Sequence, residues 1–570
     1  MNFHQPVHRN KAHSLSLGYC CRQIVTVLFV FVIASEAFPP GAADADWRRR
    51  SNDAIELKFL GRHSSDIFGP DAAGAESLAH DPHTQRLFVV NVANRAIDVI
   101  DVRKPNHPKF LFAIDLKPFG AAANSVAANQ GIIVAAVESD PKTNPGQAVF
   151  FNAQGDFLNA VEVGALPDMI VFTPDGEKVL VANEGEPNSY NQMDSVDPEG
   201  SVSIIDLSRG VRRLRQSDVV TADFLQFNNA KLDPRIRIFG PNATVAQDLE
   251  PEYITVSKDS KEAWVTLQEN NAIAHLDIKR GRFTKLMALG AKDHSRPRNS
   301  MDASDRDNAI NIVNWPVKGF YLPDAIGSYE YREKTYLVTA NEGDARDYDG
   351  FAEEERVDDL TLDPMVFPNA ADLQQDAKLG RLTVTTVNGD SNGDGTFEEL
   401  YALGGRSFSI WSESGKRVFD SGDDFEQIIA ARFPNNFNAS NEANDFDSRS
   451  DNKGPEPEGV TIARVFGTVY AFITLERIGG IMIYDITNPH DAKFVHYVNA
   501  RDFTVSVCDQ ADDDDCGQGS VPNPAVGDLG PEVIHFIDAD DSPNGKPLLA
   551  AANEISGTTT LFEIVRKRRR

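Results

Sequence analysis

Short apolar runs, four to seven residues long and rich in β-branched and aromatic side chains, recur along the chain. Asp-Gly, Pro-Asp and Asn-Gly turns separate them, and no helical periodicity intervenes. Seven stretches share one pattern of opening residue, strand, turn, second strand, and third strand ending near Asp. They begin near Glu76, Asn124, Asp168, Glu252, Asp324, Glu458 and Glu532. The clearest is PDMIVFTPDGEKVLVANEGEPN at 167–188, closed by SVSIIDL at 201–207. Propeller blades repeat at roughly 40–45 residues, which the first two spacings approximate. Insertions near 185–200, 209–250, 280–322, 344–405 and 421–456 stretch the later ones. The predicted fold class is all-β, a seven-bladed β-propeller of YVTN/WD40-like repeats with long acidic loop insertions.

The last copy ends on its third strand, Thr558 to Ile564, without an outer strand. Ala54 to Leu60 is a strand without a copy. Open sheet edges invite aggregation, so this strand is expected to complete the last blade. Upstream, Ile24 to Ala34 is an uncharged run of eleven residues behind Arg9, Lys11 and Arg22. Spanning a bilayer takes about 20 residues; the run fits a secretory h-region, with cleavage before Phe38. The expected plan is a signal peptide at 1–37, a linker at 38–53, a single propeller at 54–565 and a basic tail at 566–570. No transmembrane span is expected in the mature chain. The location is secreted or cell-surface, or periplasmic in a bacterium.

Charge narrows the partners. Asp and Glu number 85 against 56 Lys and Arg, a net charge of −29. Such a chain repels nucleic acid and attracts metal cations. Cys508 and Cys516 bracket DQADDDD, and in an oxidising compartment they are expected to form a local disulfide. Asn242 and Asn438 open glycosylation sequons.

In a blade, the residue opening the inner strand and those ending the second strand lie on one face. The openers Glu76, Asp168, Glu252, Asp324, Glu458 and Glu532 therefore join Glu138, Glu184, Glu269, Glu342, Glu476 and Glu554 at one channel mouth. Crowded carboxylates raise one another's pKa unless cations neutralise them. Oxygen-only ligation favours Ca²⁺, with Mg²⁺ or Mn²⁺ as alternatives. A second candidate is Asp390-Ser-Asn392-Gly-Asp394-Gly-Thr-Phe-Glu398-Glu399, which has the spacing of a calcium loop. Tyr401 stands where the bidentate Glu belongs, so Glu398 or Glu399 has to substitute.

His294, Arg346, Arg406, Arg477 and His535 are candidate anion holders, with Arg346, Arg477 and His535 the catalytic candidates. Cations beside carboxylate-held metal are what phosphoester chemistry requires. No GxSxG, HExxH or Walker loop occurs.

The strings VAQDLEPEYI, DASDRDNAINI, YLVTANEGDARDYDGF, GGRSFSIW, DFDSRSDNKGPEPEGV and ERIGGIMIYDI resemble the choice-of-anchor I family. That family includes mesenchyme-specific cell-surface glycoproteins of biomineralising cells. The resemblance, over about 55–565, implies an extracellular or surface propeller associated with calcified matrix. Microbial relatives are often labelled alkaline-phosphatase-like, and the resemblance carries over no catalytic residues. Two functions follow as expectations. One is a Ca²⁺-binding surface or matrix protein of biomineralisation type, with mineral or matrix surfaces as partners. The other is a metal-dependent phosphoesterase, of alkaline phosphatase or phytase type, acting on phosphate esters.

Overall fold

The second strands of the repeats are apolar almost without alternation. Lys178–Asn183 (KVLVAN) and Leu548–Asn553 (LLAAAN) are buried on both faces, as strands sandwiched between neighbouring sheets must be. In the computed structural model, which describes residues 54–69, 73–509, 511–512, 515–516, 521 and 523–567, these strands lie inside four-stranded antiparallel sheets. The expected signal peptide, linker and last residues of the tail fall outside the described residues.

Seven such sheets occur among the described residues. Five take consecutive strands, 78–115, 123–165, 167–223, 251–288 and 457–498, and a sixth joins Ile326–Tyr331 and Lys334–Asn341 to Ser407–Ser412 and Arg417–Asp420 across an insertion. The seventh combines Pro531–Ile537, Leu548–Asn553 and Thr558–Arg566 with Ile55–Ser64, paired antiparallel from Ile55 opposite Arg566 to Ser64 opposite Thr558. The first strands of successive sheets touch one another, and Pro531–Ile537 touches Leu78–Asp81. The architecture is an all-β propeller.

Separate apolar clusters fill the spaces between sheets. Phe88 and Val99 pack on Ile133 and Val149; Val134 and Phe150 pack on Val179 and Ile205. Leu548, Ala550 and Leu561 of the seventh sheet pack on Leu78, Leu87 and Val89 of the first. Full burial of one such side chain stabilises the fold by about 1.5–3 kcal/mol, so adjacent sheets are held mainly by these contacts.

The insertions are not simply loops. Residues from 291–320 and 354–402 build a five-stranded sheet with its own core, including Met301, Trp315, Val357, Leu382 and Leu400. Its strands are two or three residues long, too short for a period to register. The helix Asp424–Arg432 lies in the next insertion and buries Phe425, Ile428 and Ile429. Cys508 and Cys516 form a disulfide with Cα atoms 5.9 Å apart. Among the described residues, no helix is long and apolar enough to cross a membrane.

Candidate functional site: the acidic channel mouth

Proline places the opening acids. Pro167, Pro251, Pro457 and Pro531 each begin an inner strand, where a missing N–H costs no ladder bond. Just after each proline the strand carries one extra residue. Pro167 lies opposite Asn183 but Ile170 opposite Val181, and the other three pairs repeat this bulge. Such bulges re-aim side chains, and here the re-aimed residues include Asp168, Glu252, Glu458 and Glu532. Asp324 follows Pro323 in the same way, two residues before its strand.

The residue before the proline places the second acid. Leu166, Leu322, Glu456 and Gly530 have positive φ, from 40 to 59°. Their carbonyls accept the backbone N–H of Glu184, Gly343, Glu476 and Glu554, at 2.7–3.1 Å. Left-handed Leu or Glu costs of order 1–3 kcal/mol unless the surroundings impose it. The repeated bond supplies that constraint and brings both acids of a blade to one rim.

Oxygens of Asp324, Glu458 and Glu532 come within 4.8 Å of one another, as do those of Glu342, Glu458 and Glu476. Glu458 belongs to both groups. Glu252, Glu269 and Glu458 are only 6–7% exposed. One oxygen of each, and one of Glu76, has no hydrogen-bond partner among the described residues. Burial raises these carboxyls and the neighbouring acids add to it, with Arg346 opposing at Glu269. Glu76 and Asp168 are pushed up to about 7, and Glu252, Asp324, Glu458, Glu532 and Glu554 well above the carboxylate range. Glu184 is raised by burial and by Glu186, Asp168, Glu269 and Glu250. Glu138 stands apart from the crowd, with Lys142 opposing the effect of its burial.

One flank of the mouth carries its own cations. Lys453 Nζ lies 3.1 Å from Glu342, 3.4 Å from Asp344 and 3.4 Å from Glu456. Burial alone would raise Glu456, but Arg449, Arg477 and Lys453 outweigh it and keep it ionised. Sequence reading missed Lys453, Glu456, Glu250, Glu186 and Asp344. A signal was present in doubled acids: Glu-Pro-Glu at 250–252 and 456–458, Glu-Gly-Glu at 184–186 and Glu-Gly-Asp at 342–344.

The anion-holder candidates are engaged elsewhere. Arg346 is 1% exposed, its guanidinium 3.2 Å from Asp248 and 2.8 Å from Glu250. Arg477 reaches the rim but spends itself on Glu456 at 3.0 Å and Glu476 at 3.2 Å. Arg406 binds Glu426 at 2.7 Å, and His294 Nδ1 lies 2.7 Å from the Asn299 carbonyl. His535 lines a cavity of about 400 Å³ below the acids, beside Met169, Tyr253 and Val533. Burial, then His80, pushes it down to about 4, so it is neutral at pH 7.

In the Asp loop, oxygens of Asp390, Asp394 and Glu398 lie within 4.8 Å of one another. The Asn392 amide donates to Glu398 at 2.6 Å. Glu399 turns away to Lys318, at 2.5 Å, and leaves the candidate set. The two sequons also part. Asn242 is exposed, whereas Asn438 is 1% exposed and its amide donates to Glu426 and Ser450. A glycan on Asn438 is incompatible with that packing.

A family profile described as "Choice-of-anchor I domain" matches residues 76–489. The chain belongs to the choice-of-anchor I family. This choice-of-anchor I protein is 33% identical over 199 residues to Gigasin-3a of Magallana gigas, a match covering 34% of the chain and 66% of that relative. It is 28% identical over 283 residues to the mesenchyme-specific cell surface glycoprotein of Strongylocentrotus purpuratus, covering 43% of the chain and 36% of that relative. The chain thus spans less than two thirds of either relative's length. Hydrazine synthase of Kuenenia stuttgartiensis aligns at TM-score 0.44 and 13% identity, over 88% of this chain and 97% of that one. The Cps50 (Swd1) β-propeller domain of Myceliophteria thermophila aligns at 0.41 and 8%, over 90% and 100%.

Proposed function

We propose that this is a secreted or cell-surface, seven-bladed β-propeller, sealed by Ile55–Ser64, that binds Ca²⁺ at its acidic mouth as a matrix or surface protein. The observation that carries the reading is the set of buried carboxylate oxygens without a donor on Glu252, Glu269 and Glu458. Buried carboxylates demand compensation, by protons or by cations. Ca²⁺ takes six to eight oxygens at 2.3–2.6 Å in flexible geometry, which suits acids delivered by separate blades. Glu458, common to both groups of three, is the pivotal ligand. Extracellular Ca²⁺ modules work at about 10⁻⁴–10⁻³ M, and a partly exposed rim fits that range. The name of the sea-urchin relative supports a surface location, and the exposed Asn242 is the sequon available to a glycan. The phosphoesterase reading loses its phosphate clamp, because Arg346 and Arg477 are already paired.

The test is Ca²⁺ binding by titration calorimetry on chelator-treated secreted protein, with Glu458→Gln alongside. Wild type should bind at least one readily exchanging Ca²⁺, and Glu458→Gln should lose it. Absence of binding at millimolar Ca²⁺, or an unaltered isotherm in the variant, overturns the assignment.

A further inference from the structure

A second set of buried acids lies outside the mouth and shares no residue with it. Asp302 follows Met301 in the insertion at 280–322, and Asp447 stands in DFDSRSDN of the one at 421–456. Asn438 and Glu426 lie between them in sequence. All four side chains are buried, with Asp302 at 0% exposure and the other three at 1%.

Their hydrogen bonds are tightly specified. Arg406 donates to Glu426 Oε1 at 2.7 Å and to the Asp302 carbonyl at 2.6 Å. Glu426 Oε2 accepts the Asp302 N–H at 3.1 Å. The Asn438 amide nitrogen donates to Glu426 Oε1 at 3.0 Å and to Ser450 Oγ at 2.9 Å. A carboxylate only accepts, so Glu426 fixes which end of the Asn438 amide is nitrogen. The amide oxygen then points away from Glu426, and it has no partner among the described residues. Asp447 Oδ1 accepts from Ser450, while Asp447 Oδ2 is also without a partner.

Charge leaves the same gap. Arg406 neutralises Glu426, but neither Asp302 nor Asp447 has a cationic partner among the described residues. Burial first, then Asp302, pushes Asp447 up to about 9. Burial, opposed by the Asn311 N–H and reinforced by Glu426 and Asp307, leaves Asp302 at about 7. Two buried carboxylates that repel each other without a counter-charge are unfavourable. A pair of orphaned acceptors beside them needs a donor or a positive charge.

We propose that Asp302, Asp447 and the amide oxygen of Asn438 hold a second, buried divalent cation, Ca²⁺ by preference. The donors are all hard oxygens, and two carboxylates without a cationic partner, of which Asp302 accepts the Ser304 and Asn311 N–H groups, match a divalent charge. Because the ligands come from residues 302, 438 and 447, the ion ties the insertion at 280–322 to the one at 421–456. Its burial also distinguishes it from the mouth: it exchanges only when the insertions open.

The experiment measures metal content by mass spectrometry on secreted protein dialysed against chelator while folded, then again after denaturation. The expected result is about one Ca²⁺ per chain that resists native dialysis and is released on unfolding. It should persist in Glu458→Gln and disappear in Asp447→Asn, a change of nearly constant shape. Loss of the exchanging Ca²⁺ in Glu458→Gln with retention of the resistant one keeps the two sites distinguishable. If Asp447→Asn does not fold, Glu458→Gln loaded with Tb³⁺ during refolding replaces it. A luminescence lifetime nearly equal in H₂O and D₂O, meaning few coordinated waters, supports the site. No chelator-resistant metal in wild type, equal content in Asp447→Asn, or a fully hydrated Tb³⁺ each overturns it. Those outcomes mean that Asp447 is held protonated instead.

Discussion

Stripping cations from the mouth should make the protein less stable as pH rises, and Ca²⁺ should cancel that loss. Glu76 and Asp168 are held at about 7 in the fold, against ordinary values of 4.5 and 3.8, by burial first and then by neighbouring acids. A raised folded pKa means that the folded state binds more protons than the unfolded one between roughly 4.5 and 7. Stability is therefore full below pH 4.5 and falls as pH rises through 7. Moving one carboxyl from 4.5 to about 7 is worth roughly 3 kcal/mol. The acids are coupled, so their effects do not simply add. With unfolding entropy near 2.1 cal/mol/K per residue over some 500 residues, each kcal/mol moves Tm by about 1 °C. Ionising two or three acids should thus lower Tm by roughly 5–10 °C between pH 5 and pH 8. The assay is calorimetry or circular dichroism on chelator-treated protein at both pH values, with and without millimolar Ca²⁺. Ca²⁺ should restore most of the loss at pH 8 and do little at pH 5, where protons occupy the same oxygens. A flat or rising Tm without metal, or an equal Ca²⁺ effect at both pH values, would refute the reasoning.

Arg346→Met should destabilise by about 3–5 kcal/mol, because Asp248 and Glu250 would lose their buried partner; chemical denaturation measures it. Deleting 55–64 exposes the edge of Thr558–Arg566, and light scattering should show association at concentrations where the full chain is monodisperse.

The repeated sheets were legible because each is a local product. A proline, an acid, a few β-branched residues and a Gly turn fix one inner hairpin, whatever happens elsewhere. The partner of Ile55–Ser64 was legible by subtraction, since the last repeat lacks an outer strand. The five-stranded insertion sheet was hidden because its strands are too short for a period, and Lys318–Phe320 pairs with Tyr401–Ala402 across some eighty residues. At the rim, the doubled acids of Glu-Pro-Glu were visible, but the role of Glu456 was not. Its carbonyl is set by a left-handed φ, and its ionisation depends on Lys453, Arg449 and Arg477 converging through folding. The same applies to Arg346 and Asn438. Sequence marks a cation or a sequon, but only packing shows that Asp248 and Glu250, or Glu426 and Ser450, already hold it.

The seventh sheet also sets an order of events in the life of the chain. Ile55 pairs with Arg566, so this strand waits for one made about 500 residues later. Joining such distant ends costs roughly 5 kcal/mol of chain entropy beyond a constant term. Contacts of this range also slow folding. Until residues 548–566 have been made, Ile55–Ser64 has no mate and the flank of the first sheet that Leu548 and Leu561 will cover stays open. Six sheets can assemble as they emerge, while the seventh forms only once Thr558–Arg566 has been made.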